Sequence, residues 1–432
     1  MYSLYIDPGT GSMLFTIVIG LISTLIFAFR DKFLKLKFIM SGGKAAKIDE
    51  NKLPIVIFAD HKRYWNLFEP VCDEFERREQ VCYYWTASPD DPALDKGYKF
   101  VKAEFIGEGN KAFARLNMMN ARVCFSTTPG LDVYQWKRSK DCNYYVHIFH
   151  AVDEGTGLRM FGIDFYDALL TSGEIQETTL RKIEDVRKIP HKECHMVGNT
   201  YMDSLKERYE ERKKTDTGEG KEFTVLLAPS WGPDSILNKF GEKILKALKD
   251  TGYKIIVRPH PQTIINEKDM YEALVAKFPE DEHFIWDRSN DNFETLYQSD
   301  IMITDFSGII FDYCYVFDRP LIYADTKMDT APYDAAWLDE EVWRLAILPD
   351  LGKKLEEKDF PNMKEVIDSV SDNERYAAGR EKYRNMSWQI IGNAAENIVD
   401  YLINKNDELK QIELENAEEA KEAAKSDKSK KK

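Results

Sequence analysis

Two apolar segments of this 432-residue chain end in polar residues that can bind phosphate. In the segment 299–312, an apolar run typical of a buried strand passes through a polar turn directly into a helix. Free backbone N–H groups and the positive end of the helix dipole bind phosphate readily at such a turn. Residues 305–308 occupy it, and we expect them to face a ligand.

The second segment is the apolar run 255–257, which ends in Arg258 and His260. These two residues are two positions apart, so their side chains should point to the same face of an extended segment. A guanidinium and an imidazole so placed can grip a diphosphate and neutralise charge on a leaving group. Together the two strand ends predict one site for a nucleotide diphosphate.

Other polar residues also follow apolar runs. In the segment 228–232 a predicted strand enters a turn that offers the Ser230 hydroxyl and a glycine. Trp231 in this turn would either stack on a base or fill the interface between two domains. Asp312 would bind a ribose, cap a polar network or remain a surface carboxylate. The sequence leaves these alternatives open.

His150 lies at the end of the apolar run 145–149, near the edge where reactive groups collect in α/β folds. A neutral imidazole there can take a proton from an attacking hydroxyl. The competing interpretation is a structural histidine that bonds a backbone carbonyl at the end of a strand. His147, on the other face of the same run, is expected to be structural.

The composition and the motifs that the sequence lacks argue against several classes of function. A net charge of −14 argues against nucleic-acid binding. The six cysteines are scattered, with no CxxC pair, which predicts reduced thiols in a cytosolic domain. The chain has no Walker A loop, GxGxxG fingerprint, HExxH motif or serine elbow. We therefore expect no metal and no cofactor, with basic residues and a helix N-terminus in the place of Mg²⁺.

The uncharged segment 12–29 has the length and composition of a short membrane-spanning helix, about 27 Å long. Basic residues follow this segment, at positions 30–37, rather than precede it. This order favours a single-pass anchor with the C-terminal side in the cytoplasm over a cleaved signal peptide.

Strand-like and helix-like runs alternate over most of the remaining chain, which predicts parallel sheets covered by helices. We predict a membrane anchor and basic linker over 1–50 and two α/β domains over 51–205 and 221–385. A charged stretch, 205–221, would act as the hinge. A closing helix over 386–404 and a charged tail over 405–432, expected to be either a solvated, frayed helix or disordered, complete the chain.

Several strings of this sequence resemble the CDP-glycerol glycerophosphotransferase family, the teichoic-acid primases and polymerases. They are FHAVDEG, LAPSWG, RPHP, SDIMITDFSGIIFDY and GNAAENIVDYL, in this order over roughly residues 140–402. The resemblance implies a GT-B fold, in which two Rossmann-like domains face a cleft. The domain over 51–205 would then be the acceptor domain and the domain over 221–385 the nucleotide-donor domain. The resemblance also implies a CDP-activated polyol as donor substrate and action at the inner face of the cell membrane, on a membrane lipid or lipid-linked acceptor.

Carried over by position, the resemblance makes His150 the general base, with Arg258 and His260 at the donor phosphates and the leaving group. The donor-binding turn would consist of Thr304, Asp305, Ser307 and Gly308. We add Ser230 as a further donor-site candidate, because its turn also follows a predicted strand. The implied reaction is attack of an acceptor hydroxyl on the β-phosphorus of CDP-glycerol, with release of CMP.

Two alternatives remain at this stage. One is a glycosyltransferase or epimerase of the same fold that uses a sugar nucleotide. The other is a non-catalytic membrane scaffold that kept the fold and lost the chemistry. Whether the protein forms a homo-oligomer is left open.

Overall fold

Parallel strands build two separate sheets in this protein. The computed structural model describes residues 49, 51–289, 291–371 and 373–430. The predicted membrane span, 12–29, lies outside the described residues. Within the described ranges, no helix combines the length and apolar character that a bilayer crossing requires.

The first sheet has seven strands in the order β3-β2-β1-β4-β5-β6-β7. Their bounds are β1 Leu53–Ala59, β2 Cys82–Thr86, β3 Val101–Phe105, β4 Ala121–Ser126, β5 Cys142–Ile148, β6 Ala168–Thr171 and β7 Glu193–Met196. The second sheet has six strands in the order β10-β9-β8-β11-β12-β13. These are β8 Thr224–Leu227, β9 Lys254–Val257, β10 Phe284–Trp286, β11 Ile301–Thr304, β12 Leu321–Ala324 and β13 Gly352–Leu355.

Helices connect the strands and cover the sheets. Their bounds are Trp65–Arg77, Asn110–Leu116, Glu174–Arg187, Thr200–Thr215, Ile236–Lys239, Gly241–Lys249, Pro261–Asn266, Lys268–Lys277, Phe293–Gln298, Ile309–Val316, Trp343–Ala346, Leu348–Leu351, Met363–Asp368, Glu374–Ser387 and Ala394–Lys430. Both sheets belong to one unit, Lys52–Asp407.

The central strands are buried on both faces, which is why they read as continuous apolar runs. In the second sheet, Val225 and Ile255 pack into one core cluster, whereas the adjacent Leu226 and Ile256 pack into another on the opposite face. The alternation of side chains along a strand produces this division.

In both sheets the strand order reverses next to the first strand, between β1 and β4 and between β8 and β11. Ligands of open α/β sheets bind at the carboxyl ends of the strands beside such a reversal. The fold therefore offers one crevice in each half, and the prediction of two parallel-sheet α/β domains is confirmed.

Some predicted elements differ from the structure. The stretch 205–221 was expected to be a hinge, but the helix Thr200–Thr215 runs through most of it. The closing helix begins at Ala394, not near 386, and continues to Lys430, so that the charged tail takes the helical one of its two predicted alternatives. The apolar run 320–323 is predicted to be the last strand of the chain, but β13 follows it and pairs with β12 in parallel.

Candidate active site

A cavity of about 470 Å³ lies among the carboxyl ends of strands from both sheets. The first half contributes the segment after β1 and His150 after β5, and the second half contributes residues after β8, β9 and β11. Four of the predicted site residues line this one cavity: His150, Arg258, His260 and Ser307. A neighbouring cavity of about 440 Å³ shares His260 and Ser307 and adds Ser230 and Gly308.

His150 follows β5 and is open to the cavity, with its ring centroid 5.2 Å from that of Tyr64. Within the described chain, its ring nitrogens have no backbone carbonyl as a hydrogen-bond partner, so the structural alternative finds no support here. Burial in the cleft lowers the pKa of His150, and Asp153 opposes this effect. The imidazole is therefore neutral near pH 7, as a general base requires.

His147 has a different environment. It is fully buried, packs against the rings of Phe149 and Tyr166, and has no hydrogen-bond partner on either nitrogen. Burial lowers its pKa to about 3. This histidine belongs to the core of the first half.

His260 is held by the helix that it begins. Its Nδ1 accepts a hydrogen bond of 3.1 Å from the backbone N–H of Gln262, which leaves the proton of the neutral ring on Nε2. Burial lowers the pKa of His260, and Arg63 lowers it further. The ring stacks on Trp231, with 6.3 Å between centroids. Trp231 is 47% exposed, so it does not fill an interior space between the halves.

Arg258 lines the same cavity as His260 but already has an anionic partner. Its guanidinium forms an ion pair with Asp287 and donates hydrogen bonds to the hydroxyl and carbonyl oxygens of Ser289. The positive charge is therefore largely neutralised by the loop after β10. A phosphate at Arg258 would have to share the guanidinium with Asp287.

The turn after β11 divides into an inward and an outward half. The Thr304 hydroxyl donates a hydrogen bond of 2.7 Å to the carbonyl oxygen of Ala228, and Thr304 is fully buried. The Asp305 carboxylate accepts hydrogen bonds from the backbone N–H groups of Ser230 and Ile236, at 2.8 and 3.1 Å. These two side chains hold the loops together and face away from the cavity.

Ser307 and Gly308 form the outward half and precede the helix Ile309–Val316. No side chain caps this helix N-terminus, and nothing lies within 4 Å of the position a Cβ would take at Gly308. A phosphate could therefore approach the free backbone N–H groups directly.

The family model for CDP-glycerol:poly(glycerophosphate) glycerophosphotransferases matches residues 160–404, more than half of the chain. The chain belongs to this family. The family resemblance and the prediction of an enzyme of this kind, a transferase of polyol phosphate, are confirmed. The matched range begins after His150, so it includes all the predicted donor-side residues but not the predicted base.

Comparison with curated proteins finds no match. Among solved structures, the wall teichoic acid polymerase TagF soaked with CDPG is 17% identical, with a TM-score of 0.57, over 89% of this chain and 98% of that one. A UDP-GlcNAc 2-epimerase from Methanocaldococcus jannaschii, in complex with UDP-GlcNAc and UDP, is 13% identical, with a TM-score of 0.51, over 81% and 99%. These likenesses show the fold, and the GT-B-like arrangement is confirmed.

This member of the glycerophosphotransferase family has further cavity residues that sequence reasoning did not single out: Arg63, Tyr64, Tyr201, Arg208 and Asn292. Arg63 and Tyr64 fall in the short segment between β1 and the next helix, which carries no motif. Asp312, left open in the sequence, also lines the cavity, and burial raises its pKa to about 7.

One ion cluster joins the two halves beside the cleft. Arg344, on the helix Trp343–Ala346, pairs with Asp153 and with Glu154 in the loop after β5. Both carboxylates are buried. Burial raises the pKa of Glu154 although Arg344 acts in the opposite direction. The cluster holds the loop that follows His150 against the half that contains the second sheet.

Among the described residues, no group of three His, Cys, Asp or Glu side chains is arranged to hold a metal ion. The expectation of metal-independent chemistry stays a prediction, as does the absence of a cofactor.

Proposed function

We propose that this enzyme transfers glycerol phosphate from CDP-glycerol to a hydroxyl of its acceptor and releases CMP. The observation that supports this most is the convergence of His150 and His260, from different sheets, on one cavity beside the helix N-terminus at Ser307. The family description supplies the donor, CDP-glycerol.

The reaction follows from this geometry. The acceptor oxygen attacks the β-phosphorus, a new P–O bond forms, and the bond from that phosphorus to the bridging oxygen of CMP breaks. The acceptor proton passes to the neutral imidazole of His150. Charge that develops on the CMP phosphate is neutralised by the Nε2–H of His260 and by the backbone N–H groups at Ser307 and Gly308.

We also propose that the acceptor is lipid-linked and that the enzyme works at the cytoplasmic face of the cell membrane. The uncharged segment 12–29 and the basic residues that follow it support this assignment. A soluble donor and an acceptor fixed in the membrane would then meet in a cleft on the cytoplasmic side of the membrane.

The test is CMP release by the full chain from CDP-glycerol in the presence of a lipid-linked disaccharide. His150→Ala and His260→Ala should each lower the rate by roughly 100-fold or more. His283→Ala is the matched control, because His283 is exposed and lies outside both cavities. Full activity in either of the first two variants would refute the assigned roles.

A comparison of ligands separates the alternatives. Thermal unfolding is measured with CDP-glycerol, CDP-ribitol and UDP-GlcNAc, because a ligand that binds the folded state raises the melting temperature. We expect the CDP-polyols to stabilise the protein and UDP-GlcNAc to have little effect. The reverse order would favour a sugar-nucleotide enzyme, and CDP binding without turnover would favour a scaffold.

A further inference from the structure

The arginines that line the main cavity differ in whether an acidic side chain faces them. The guanidinium of Arg208 pairs with Asp291, and that of Arg258 pairs with Asp287. Arg63 is exposed to the cavity, and in the described parts of the chain no carboxylate lies within ion-pair distance of it. The charge of Arg63 is therefore available to a substrate.

Arg63 lies close to both histidines of the proposed reaction. Its guanidinium carbon is 4.8 Å from the ring centroid of Tyr64, and that centroid is 5.2 Å from the centroid of His150. Burial lowers the pKa of His150 and of His260, and the positive charge of Arg63 lowers both pKa values further. Because the effect of a charge falls with distance, Arg63 lies near the space between the two rings, in the cavity that all three residues line.

Hydrogen bonds hold the backbone that carries Arg63. The N–H of Arg63 donates a bond of 3.0 Å to Nδ1 of His61, and the N–H of Tyr64 donates one of 3.1 Å to the carbonyl oxygen of His61. The N–H of Lys62 donates a bond of 3.0 Å to the hydroxyl of Ser88. The segment is thus positioned before a substrate binds, and a positioned cation stabilises developing charge at little cost of reorganisation.

The proposed reaction needs a positive charge between the two histidines. In an in-line displacement the acceptor oxygen enters on one side of the β-phosphorus and the bridging oxygen of CMP leaves on the other. His150 and His260 are assigned to these two oxygens, so the phosphorus would lie between their rings. Its two non-bridging oxygens share a negative charge, which grows as the new P–O bond forms. A guanidinium donates paired, charge-assisted hydrogen bonds to two such oxygens.

We propose that Arg63 is a catalytic residue that donates hydrogen bonds to the non-bridging oxygens of the glycerophosphoryl group while this group passes from CMP to the acceptor. The inference rests on the proposed function and adds a residue to its chemistry. The bond from the acceptor oxygen to the β-phosphorus forms, the bond to the bridging oxygen of CMP breaks, and the acceptor proton goes to His150. Arg63 keeps its own protons throughout. It follows β1 of the first half, whereas the proposed donor site lies in the second half.

The experiment measures CMP release from CDP-glycerol by the full chain, with a lipid-linked disaccharide as acceptor. A residue that binds the phosphoryl oxygens more strongly in the transition state than in the bound donor affects kcat more than KM. Arg63→Gln should therefore lower kcat by roughly 1,000-fold and change the KM for CDP-glycerol by less than about threefold. Arg63→Lys should recover part of the rate, because an ammonium group keeps the charge without the paired donors.

A pH profile distinguishes contact with the substrate from an effect through the histidines. Loss of the Arg63 charge by itself would raise the pKa of His150 and His260, so that more of the base is protonated at neutral pH. The other charged groups that act on these rings stay in place in the variant; they are Asp153, Asp60, Arg344 and Glu267. The deficit of kcat in Arg63→Gln should persist up to about pH 9, where the neutral imidazole is restored. A deficit that disappears at that pH would overturn the proposal.

Lys62→Gln is the matched control. Lys62 is the neighbouring cation, is exposed, pairs with Asp90 and does not line the cavity. Its loss removes the same charge one residue away and should leave kcat as in the wild type. An equal fall of kcat in Lys62→Gln would overturn the proposal. Circular dichroism and thermal unfolding check that each variant folds, which is expected because both side chains are exposed.

A measurement without turnover separates this proposal from the proposed function. The ligand is a CDP-glycerol analogue with a methylene group in place of the bridging oxygen, and phosphorus NMR observes its β-phosphorus in complex with each protein. Arg63→Gln should shift the resonance of the bound β-phosphorus, and Lys62→Gln should leave it in place.

The outcomes differ for the two proposals. If the wild type releases no CMP, the proposed function fails, and the resonance still decides whether Arg63 contacts the transferred group. An unshifted resonance in Arg63→Gln, or a full kcat in that variant, would overturn the role of Arg63. The absence of any bound analogue in the wild type would refute both proposals.

Discussion

The hydroxyl of Tyr201 donates a hydrogen bond of 2.8 Å to the carboxylate of Asp312. Tyr201 belongs to the helix after β7 and Asp312 to the helix after β11, so the bond connects the two halves at the wall of the cavity. Burial raises the pKa of Asp312 to about 7, so that its neutral form is favoured in the folded protein.

This shift predicts a pH dependence of stability. Between the ordinary pKa of an aspartate and about 7, the folded state binds a proton at Asp312 that the unfolded state has lost. The stabilising effect of that proton is complete at acid pH and is lost as the pH rises towards 7. Asp312→Asn keeps a hydrogen-bond acceptor for Tyr201 without the charge. Its melting temperature relative to wild type should therefore be higher at pH 8 than at pH 4, and a difference independent of pH would contradict this.

The ion cluster of Arg344 gives a second prediction. Arg344→Met leaves the buried carboxylates of Asp153 and Glu154 without a cation, which should destabilise the protein by about 3–5 kcal/mol in urea unfolding. Lys182→Ala breaks the exposed pair with Glu340 and should cost less than about 1 kcal/mol. A loss in Arg344→Met no greater than in Lys182→Ala would show that the cluster does not hold the halves together.

A substitution at Gly308 tests whether a ligand binds against the backbone of the turn after β11. The Gly308 φ of −62° is ordinary for any residue and a Cβ would meet no atom, so Gly308→Ala should fold with unchanged stability. The added methyl should nevertheless weaken CDP binding measured by calorimetry, because it occupies the approach to the helix N-terminus. Gly173→Ala is the contrasting variant, because its Cβ would clash with the carbonyl oxygen of Met386 and should destabilise the fold. Unaltered CDP affinity in Gly308→Ala would place the nucleotide elsewhere.

The variant Thr304→Val tests whether Thr304 holds the loops in position or binds the donor. The substitution removes the buried hydroxyl that bonds the Ala228 carbonyl oxygen and should cost about 1–3 kcal/mol of unfolding free energy, because that oxygen is left unpaired. The KM for CDP-glycerol should change little, since the side chain faces away from the cavity. Ser307→Ala is the companion variant and should raise this KM. A raised KM and unaltered stability in Thr304→Val would assign Thr304 to the donor instead.

The convergence of the site could be predicted because parallel strands bring their carboxyl ends to one edge. An apolar run that stops at His260 or at Ser307 therefore predicts that the residue lies at this edge of the sheet. The pairing of Arg258 could not be predicted in the same way. Its partner Asp287 follows a different strand, β10, and only the register of β9 with β10 brings the two together.

The strands that could not be predicted from the sequence are those without a distinctive apolar pattern. Strands β3 and β13 lie at the edges of the two sheets and carry charged residues, Lys102 and Glu104 in one and Lys353 and Lys354 in the other. Half-exposed edge strands lack the apolar runs of central strands. Arg63 was missed for a related reason, because a lone cation in a connecting segment acquires meaning only from the cavity that it faces.

The carboxylate of Asp305 ties Ser230, 75 positions away in sequence, to the end of β11. The loops at the proposed nucleotide site therefore form a preassembled wall before any substrate arrives. Little binding free energy is needed to order them. Substrate-driven rearrangement in this enzyme would then be concentrated in the opposite half, which would set the acceptor selectivity more readily than the proposed nucleotide site does.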